Sequence, residues 1–145
     1  MKVIHHVLDI DAGAPAVWTA LTTRTGLAGW WSRQVDVKET NSGPRVSFVF
    51  EGDFNPVMQV TGAEEGRRLT WRCVAGHGNW QDNTFTFELA GPPDGRTRLR
   101  FTQDYAVELS DDDYGIYNFT WGYYLESLRL LLTAGTGRPF EPAHA

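Results

Sequence analysis

Residues 110–135 read SDDDYGIYNFTWGYYLESLRLLLTAG, and this stretch decides the fold. Ser110 is placed to cap a helix N-terminus, with Asp113 three residues on and three carboxylates in the first turn, where the helix dipole favours negative charge. Tyr114, Tyr117, Trp121, Leu125, Leu128 and Leu132 recur at three- and four-residue steps, the spacing of one helical face, and Gly135 supplies the stop. The pattern predicts a helix running to about Ala134, over ~30 Å long at about 1.5 Å per residue. Gly115 and Gly122 lie inside it, each costing about 1 kcal/mol relative to Ala. A close approach to the helix, by the sheet or by a ligand, is expected there.

A long helix with one apolar stripe needs a greasy surface to lie on, and the preceding residues supply it. Val46, Phe48 and Phe50 alternate with Arg45, Ser47, Val49 and Glu51; Met58 and Val60 share one side of 57–61. Leu69, Trp71 and Cys73 alternate with Thr70, Arg72 and Val74; Phe85, Phe87 and Leu89 face one way in 84–89; Leu99, Phe101 and Gln103 follow the same rule. Turn signals separate these runs, at 41–44, 52–56, 64–66 and, strongest, Gly91-Pro92-Pro93-Asp94-Gly95. Upstream, residues 3–10 read as a strand with Ile4, His6, Leu8 and Ile10 inward. Pro15 opens a short helix burying Val17, Leu21 and Trp18, and a second helical turn carries Leu27, Trp30 and Trp31 before a strand at Val35 and Val37. About seven strands with no helix between consecutive members after the first make an antiparallel meander, not βαβ units. The fold class is therefore α+β, a curved antiparallel sheet packed on a long C-terminal helix.

The 145 residues, 41% hydrophobic and 21% charged, suit one domain. A net charge of −5 offers no general attraction to phosphate backbones, so no nucleic-acid partner is expected. No apolar run approaches the ~20 residues that cross a bilayer, and a lone cysteine, Cys73, makes no internal bridge; a cytoplasmic setting without membrane association is expected. The four histidines lack metal-ligand spacing, and there is no Gly-x-Ser-x-Gly, no phosphate loop and no Cys/His nucleophile pair, so neither metal nor cofactor is expected. The salient number is 13% aromatic residues, which either fill a bulky core or line a pocket.

The order strand, two short helices, six-strand meander, long helix is that of a helix-grip fold. The sequence resembles the START-like (SRPBCC) superfamily, specifically the group related to the activator of the Hsp90 ATPase. The likeness is carried by Ile10-Asp11-Ala12 leading to Val17-Trp18-Thr19-Ala20-Leu21-Thr22, by Trp30-Trp31, by Leu69-Thr70-Trp71, and by residues 121–128, WGYYLESL, followed by Gly135-Thr136-Gly137-Arg138-Pro139. Gly13 and Ala14 precede Pro15 where family members place proline sooner, which shifts the helix start slightly. The resemblance implies a single START-like domain over 1–134, and a cavity between sheet and helix used in relatives for apolar or aromatic ligands. Residues 135–145, rich in Gly and Pro, are expected to form a loosely packed tail.

On this reading Phe48, Phe50, Met58, Trp71, Phe85, Phe87 and Phe101 line the concave face, Trp121 and Leu125 close over them from the helix, and Trp31, with Trp30 and Trp80, forms a mouth or lid. Gln103, Asn118 and Tyr117 are candidate polar anchors at the rim. The function expected is binding of a small hydrophobic or aromatic molecule. Two alternatives stand beside it: a chaperone-regulating or other protein-interaction module, and a cyclase- or hydrolase-like enzyme using His77, Asp82 or Asp104 in the same pocket. Homodimerisation is a further possibility, because exposed sheet edges and surplus aromatics offer interface material.

Overall fold

A computed structural model describes residues 2–91 and 94–142 and bears out the helix-grip architecture. Strand β1 (Val3–Ile10) leads into α1 (Ala14–Thr22) and α2 (Arg24–Trp30); β2 (Val35–Thr40), β3 (Gly43–Phe48), β4 (Val57–Glu64), β5 (Arg68–Ala75), β6 (Thr84–Ala90) and β7 (Thr97–Asp104) form the meander, and α3 (Asp111–Ala134) closes the chain. The strands make one antiparallel sheet in the order β1-β7-β6-β5-β4-β3-β2. Chain alternation sends Ile4, Ile10, Val46, Phe48, Met58, Leu69, Trp71, Phe85, Phe87, Leu99 and Phe101 to the buried face, where α1, α2 and α3 pack. The charged alternates occupy the other face, where Arg98 grips Asp9 through two hydrogen bonds and Arg72 pairs with Asp82. Exposed pairs of this kind add little stability.

The helix termini form as their residues dictate. The Ser110 hydroxyl accepts the Asp113 N–H at 3.1 Å, and Gly135 adopts a left-handed φ of 84° that ends α3. The buried face of α3 differs in detail from the predicted stripe: Trp121, Tyr124, Leu125, Ser127 and Leu128 are buried, while Tyr114, Tyr117 and Leu132 are only partly so. The helix is therefore turned slightly toward the side bearing Tyr124 and Ser127.

Two strand limits differ from the alternation. β3 stops at Phe48 because the next residues find other partners: Val49 N–H donates to the Gln34 carbonyl and Phe50 N–H to the Asn55 side chain. The chain thus leaves the sheet and folds Phe50 inward. β4 continues past Thr61 to Glu64, with register irregularities at Val57/Met58 and Val60/Gly62, the kind of bulge that bends a sheet. Of the strong turn at 91–95, Pro92 and Pro93 lie outside the described residues.

The close approach expected at Gly115 and Gly122 is not made among the described residues. Nothing lies within 4 Å of a Cβ built on Gly115, and one on Gly122 meets only His6 Cε1 at ordinary contact distance, 3.7 Å. In the C-terminal segment the crowded glycine is Gly137, where a Cβ would sit 2.4 Å from the Gly29 carbonyl oxygen. The segment expected to pack loosely is docked as far as Phe140. Phe140 N–H donates to the Trp31 carbonyl at 2.8 Å, Arg33 N–H donates to the Phe140 carbonyl at 2.9 Å, and Arg138 N–H donates to the Ser127 hydroxyl. That hydroxyl, fully buried, also donates to the Trp30 carbonyl at 2.9 Å. Ser127 therefore ties α3, α2 and the C-terminal segment together through one oxygen. Replacing it with alanine leaves a buried N–H and a buried carbonyl without that partner, so Ser127→Ala is expected to lower unfolding free energy in urea titration by about 1–3 kcal/mol; an unchanged midpoint would show that the segment contributes no stability.

Candidate functional site

The space between sheet and α3 is occupied chiefly by indoles. Trp31 ends α2, and its side chain is carried into the middle of the domain. Its ring stacks near-parallel on Trp121 at 5.2 Å, on Trp71 at 5.9 Å and on Trp80 at 6.2 Å between centroids, and meets Phe48 and Phe50 edge-on at 4.4 and 5.1 Å. Phe101 packs on Trp121 at 4.2 Å, and Phe87 packs on both Phe101 and Trp71. Two of the indole N–H groups at the centre are satisfied: Trp121 donates to the Gln103 side-chain oxygen at 2.7 Å and Trp30 to the Ala20 carbonyl at 2.9 Å. Stacked and edge-on rings at these separations are favourable beyond the area they bury.

What remains open is a cleft at one side of this stack. Its volume is about 260 Å³, and its walls are Trp31, Phe50, Phe54, Trp80, Trp121 and Tyr124. Ile116, Tyr117 and Thr120 of α3, with Glu51 and Phe140, complete it. Five segments bring these residues together: the end of α2, the loop after β3, the turn Gly78–Trp80, α3 and the C-terminal segment. Of the ten residues expected at the ligand, Trp31, Phe50 and Trp121 line this cleft. Trp71 borders a second apolar hollow of about 240 Å³ between α1, α2 and strands β2 to β5, which the half-buried Trp18 also lines. Phe48, Met58, Phe85, Phe87, Phe101 and Leu125 are buried in the ring packing and border neither space. The open volume has been displaced from the middle of the sheet to the flank of the helix, because the Trp31 ring takes the middle.

Phe54, Tyr124, Ile116, Thr120 and Phe140 were not singled out from sequence as site residues. Phe54 sits in a run rich in turn formers, and Phe140 in a segment whose glycines and prolines masked its anchoring. Tyr124 had a readable signal, since 117, 121, 124 and 128 also follow three- and four-residue steps. Among the expected rim anchors, Tyr117 lines the cleft and its hydroxyl accepts from the Asn79 side chain at 3.0 Å. Gln103 is fully buried behind Trp121, and Asn118 is exposed elsewhere on α3.

The titratable candidates are not assembled into a constellation. His77 stacks on Trp80, 5.0 Å away and 4° from parallel, with Phe54 edge-on at 4.4 Å. Burial among these rings disfavours its charged form and lowers its pKa. Asp82 is held below the usual carboxylate range by the Arg72 guanidinium on the far face of the sheet. Asp104 is exposed at the end of β7. None of the three borders the cleft. Cys73 is buried and burial pushes its thiol up, away from the thiolate. Among the described residues no helix is long and apolar enough to cross a membrane.

Comparison with known proteins agrees with this architecture. A search of curated protein sequences returns no match. The solution structure of the Aha1 dimer from Colwellia psychrerythraea is similar at 28% identity and a TM-score of 0.81, covering 94% of this chain and 100% of that one. Protein MLL2253 from Mesorhizobium loti shares 22% identity at a TM-score of 0.73, over 92% of this chain and 98% of that one. DynU16, a protein of the dynemicin biosynthetic locus, shares 18% identity at a TM-score of 0.75, over 94% of this chain and 49% of that one. The last two share the fold alone. The profile described as activator of Hsp90 ATPase homolog 1-like protein matches residues 11–133, and the chain belongs to that family.

Proposed function

We propose that the protein binds a small, flat, largely apolar molecule in the cleft beside α3. The observation that carries this reading is the cleft wall itself: eight aromatic side chains around about 260 Å³, bordered by only a few polar groups. Sites for small molecules have this makeup, with apolar walls and a few polar groups to fix orientation. An apolar cavity of ~150 Å³ suffices for benzene in an engineered protein, so the volume here suits one or two fused rings. Binding is driven by burial of ligand carbon, at about 25 cal/mol per Å². The Tyr117 hydroxyl, the Thr120 hydroxyl and the Glu51 carboxylate are available to orient a polar substituent. The reading is one of binding, since His77, Asp82 and Asp104 do not converge on the space a ligand would occupy. We place this activity in a reducing cytoplasm, in keeping with a single, buried cysteine.

The dimer formed by the Colwellia relative supports a second element of the proposal, that this chain also works as a pair of identical copies.

Phe54 stands in the cleft wall and packs on Phe50 and Trp80 at 4.9 and 5.0 Å, so its removal subtracts ligand contact without opening the core. In calorimetric titration with 2-naphthol, Phe54→Ala is expected to weaken binding about tenfold, the equivalent of ~1.4 kcal/mol. Absence of binding by the unaltered protein would overturn the reading. A second expectation concerns pH. His77 has a lower pKa folded than its ordinary 6.5, so below that value the unfolded chain takes up more protons and folding stability falls as pH drops from about 7.5 toward 5. In thermal melts His77→Phe should flatten that part of the pH profile; an unaltered profile would show that the ring stack does not oppose the charge.

A further inference from the structure

The long helix carries a second apolar face that nothing among the described residues covers. Ile116, Phe119 and Tyr123 are 60%, 77% and 40% exposed. They recur at three- and four-residue steps on the side of α3 opposite the buried Trp121, Leu125 and Leu128. Phe119, at the centre, is the most exposed large hydrophobic residue among the described residues. Beside this stripe lies a shallow hollow bordered by Asp111, Asp112, Gly115, Ile116, Phe119 and Thr120. It exists because Gly115 has no side chain, and the space around its Cα is open. A glycine inside an exposed helix costs about 1 kcal/mol relative to Ala, and no contact among the described residues accounts for this one.

We propose that this stripe is where a second copy of the chain docks, with the two α3 helices antiparallel and crossing near Phe119. The inference rests on the pairing of copies proposed above and names its surface. Three observations select a second copy as the occupant. First, the face is self-complementary in position. Gly115 and Tyr123 are equally spaced on either side of Phe119, so a two-fold axis there sets each Tyr123 ring over the other copy's Gly115 hollow. Second, its ends are opposite in charge. The first turn holds Asp111, Asp112 and Asp113, of which only Asp111 is ion-paired among the described residues, to Lys2. At the other end the Arg138 guanidinium lies 4.5 Å over the Tyr123 ring, and Arg138 forms no salt bridge among the described residues. An antiparallel pair brings each acidic turn to the other copy's Arg138. Third, the surface is continuous with the ligand cleft, since Ile116 and Thr120 border both. A docked copy therefore forms part of the rim of the cleft.

The test is sedimentation equilibrium on the full chain and on two variants, paired with thermal melts. The unaltered protein should be a reversible dimer. Phe119→Asp, which puts a charge at the centre of the contact, should raise the dimer dissociation constant by about 100-fold, as loss of a central aromatic anchor does. Gly115→Leu fills the hollow while improving helix propensity, so it should raise the dissociation constant at least ~tenfold with the melting temperature of dilute protein unchanged or higher. That opposition of signs separates a docking role from a folding role, and Gly115→Leu decides the matter even if Phe119→Asp misfolds. A dimer that persists in both variants would overturn this surface alone. A monomer at several hundred micromolar in the unaltered protein would overturn the surface and the pairing together.

Discussion

The Trp31 indole is the wedge on which the interior depends. It is delivered by a helix of only seven residues, yet it touches rings from β3, from the loop after β3, from β5, from the turn at Gly78–Trp80 and from α3. Rings this large pack densely only in a few relative orientations, so one indole in the middle dictates the angle of its neighbours. The near-parallel set Trp71, Trp31, Trp121 and Trp80 results. With that set in place, a ligand space beneath the helix is no longer available, and what free volume the fold retains lies along the flank of α3.

The same constraint explains why the C-terminal segment matters. Trp31 supplies its ring to the core and its backbone carbonyl to Phe140, whose side chain then walls the cleft. Ser127 fastens the other end of the segment, and Gly137 is small enough to pass the Gly29 carbonyl. Cleft, segment and ring stack are thus one mechanical unit. The long helix has a double role in it, sealing the core with Trp121, Leu125 and Leu128 and presenting Ile116, Phe119 and Tyr123 outward.

Features set by local chemistry were readable from residues alone. The Ser110 cap, the Gly135 stop, Pro15 near the start of α1 and the alternation of Phe85, Phe87 and Leu89 depend on neighbours close in sequence, and each formed where its residues point. Alternation shows which way a side chain faces but says nothing of how much space lies beyond it. That is why Met58, Phe87 and Leu125, on the inward face, border neither the cleft nor the second hollow. The cleft was hidden for a related reason: Phe54, Thr120 and Phe140 come from a turn-rich run, a helix shoulder and a Gly/Pro-rich segment, and only long-range packing brings them together. Gly115 shows the converse, a residue conspicuous in the sequence that no contact among the described residues explains.

The most direct test of this account is methyl nuclear magnetic resonance during titration with 2-naphthol. Thr120 borders the cleft, while Met58 is fully buried in the packed interior. The account predicts that the Thr120 methyl signal moves with ligand and the Met58 methyl signal stays fixed. A Met58 signal that shifts while Thr120 does not would place the ligand beneath the helix and contradict the ring stack as its barrier.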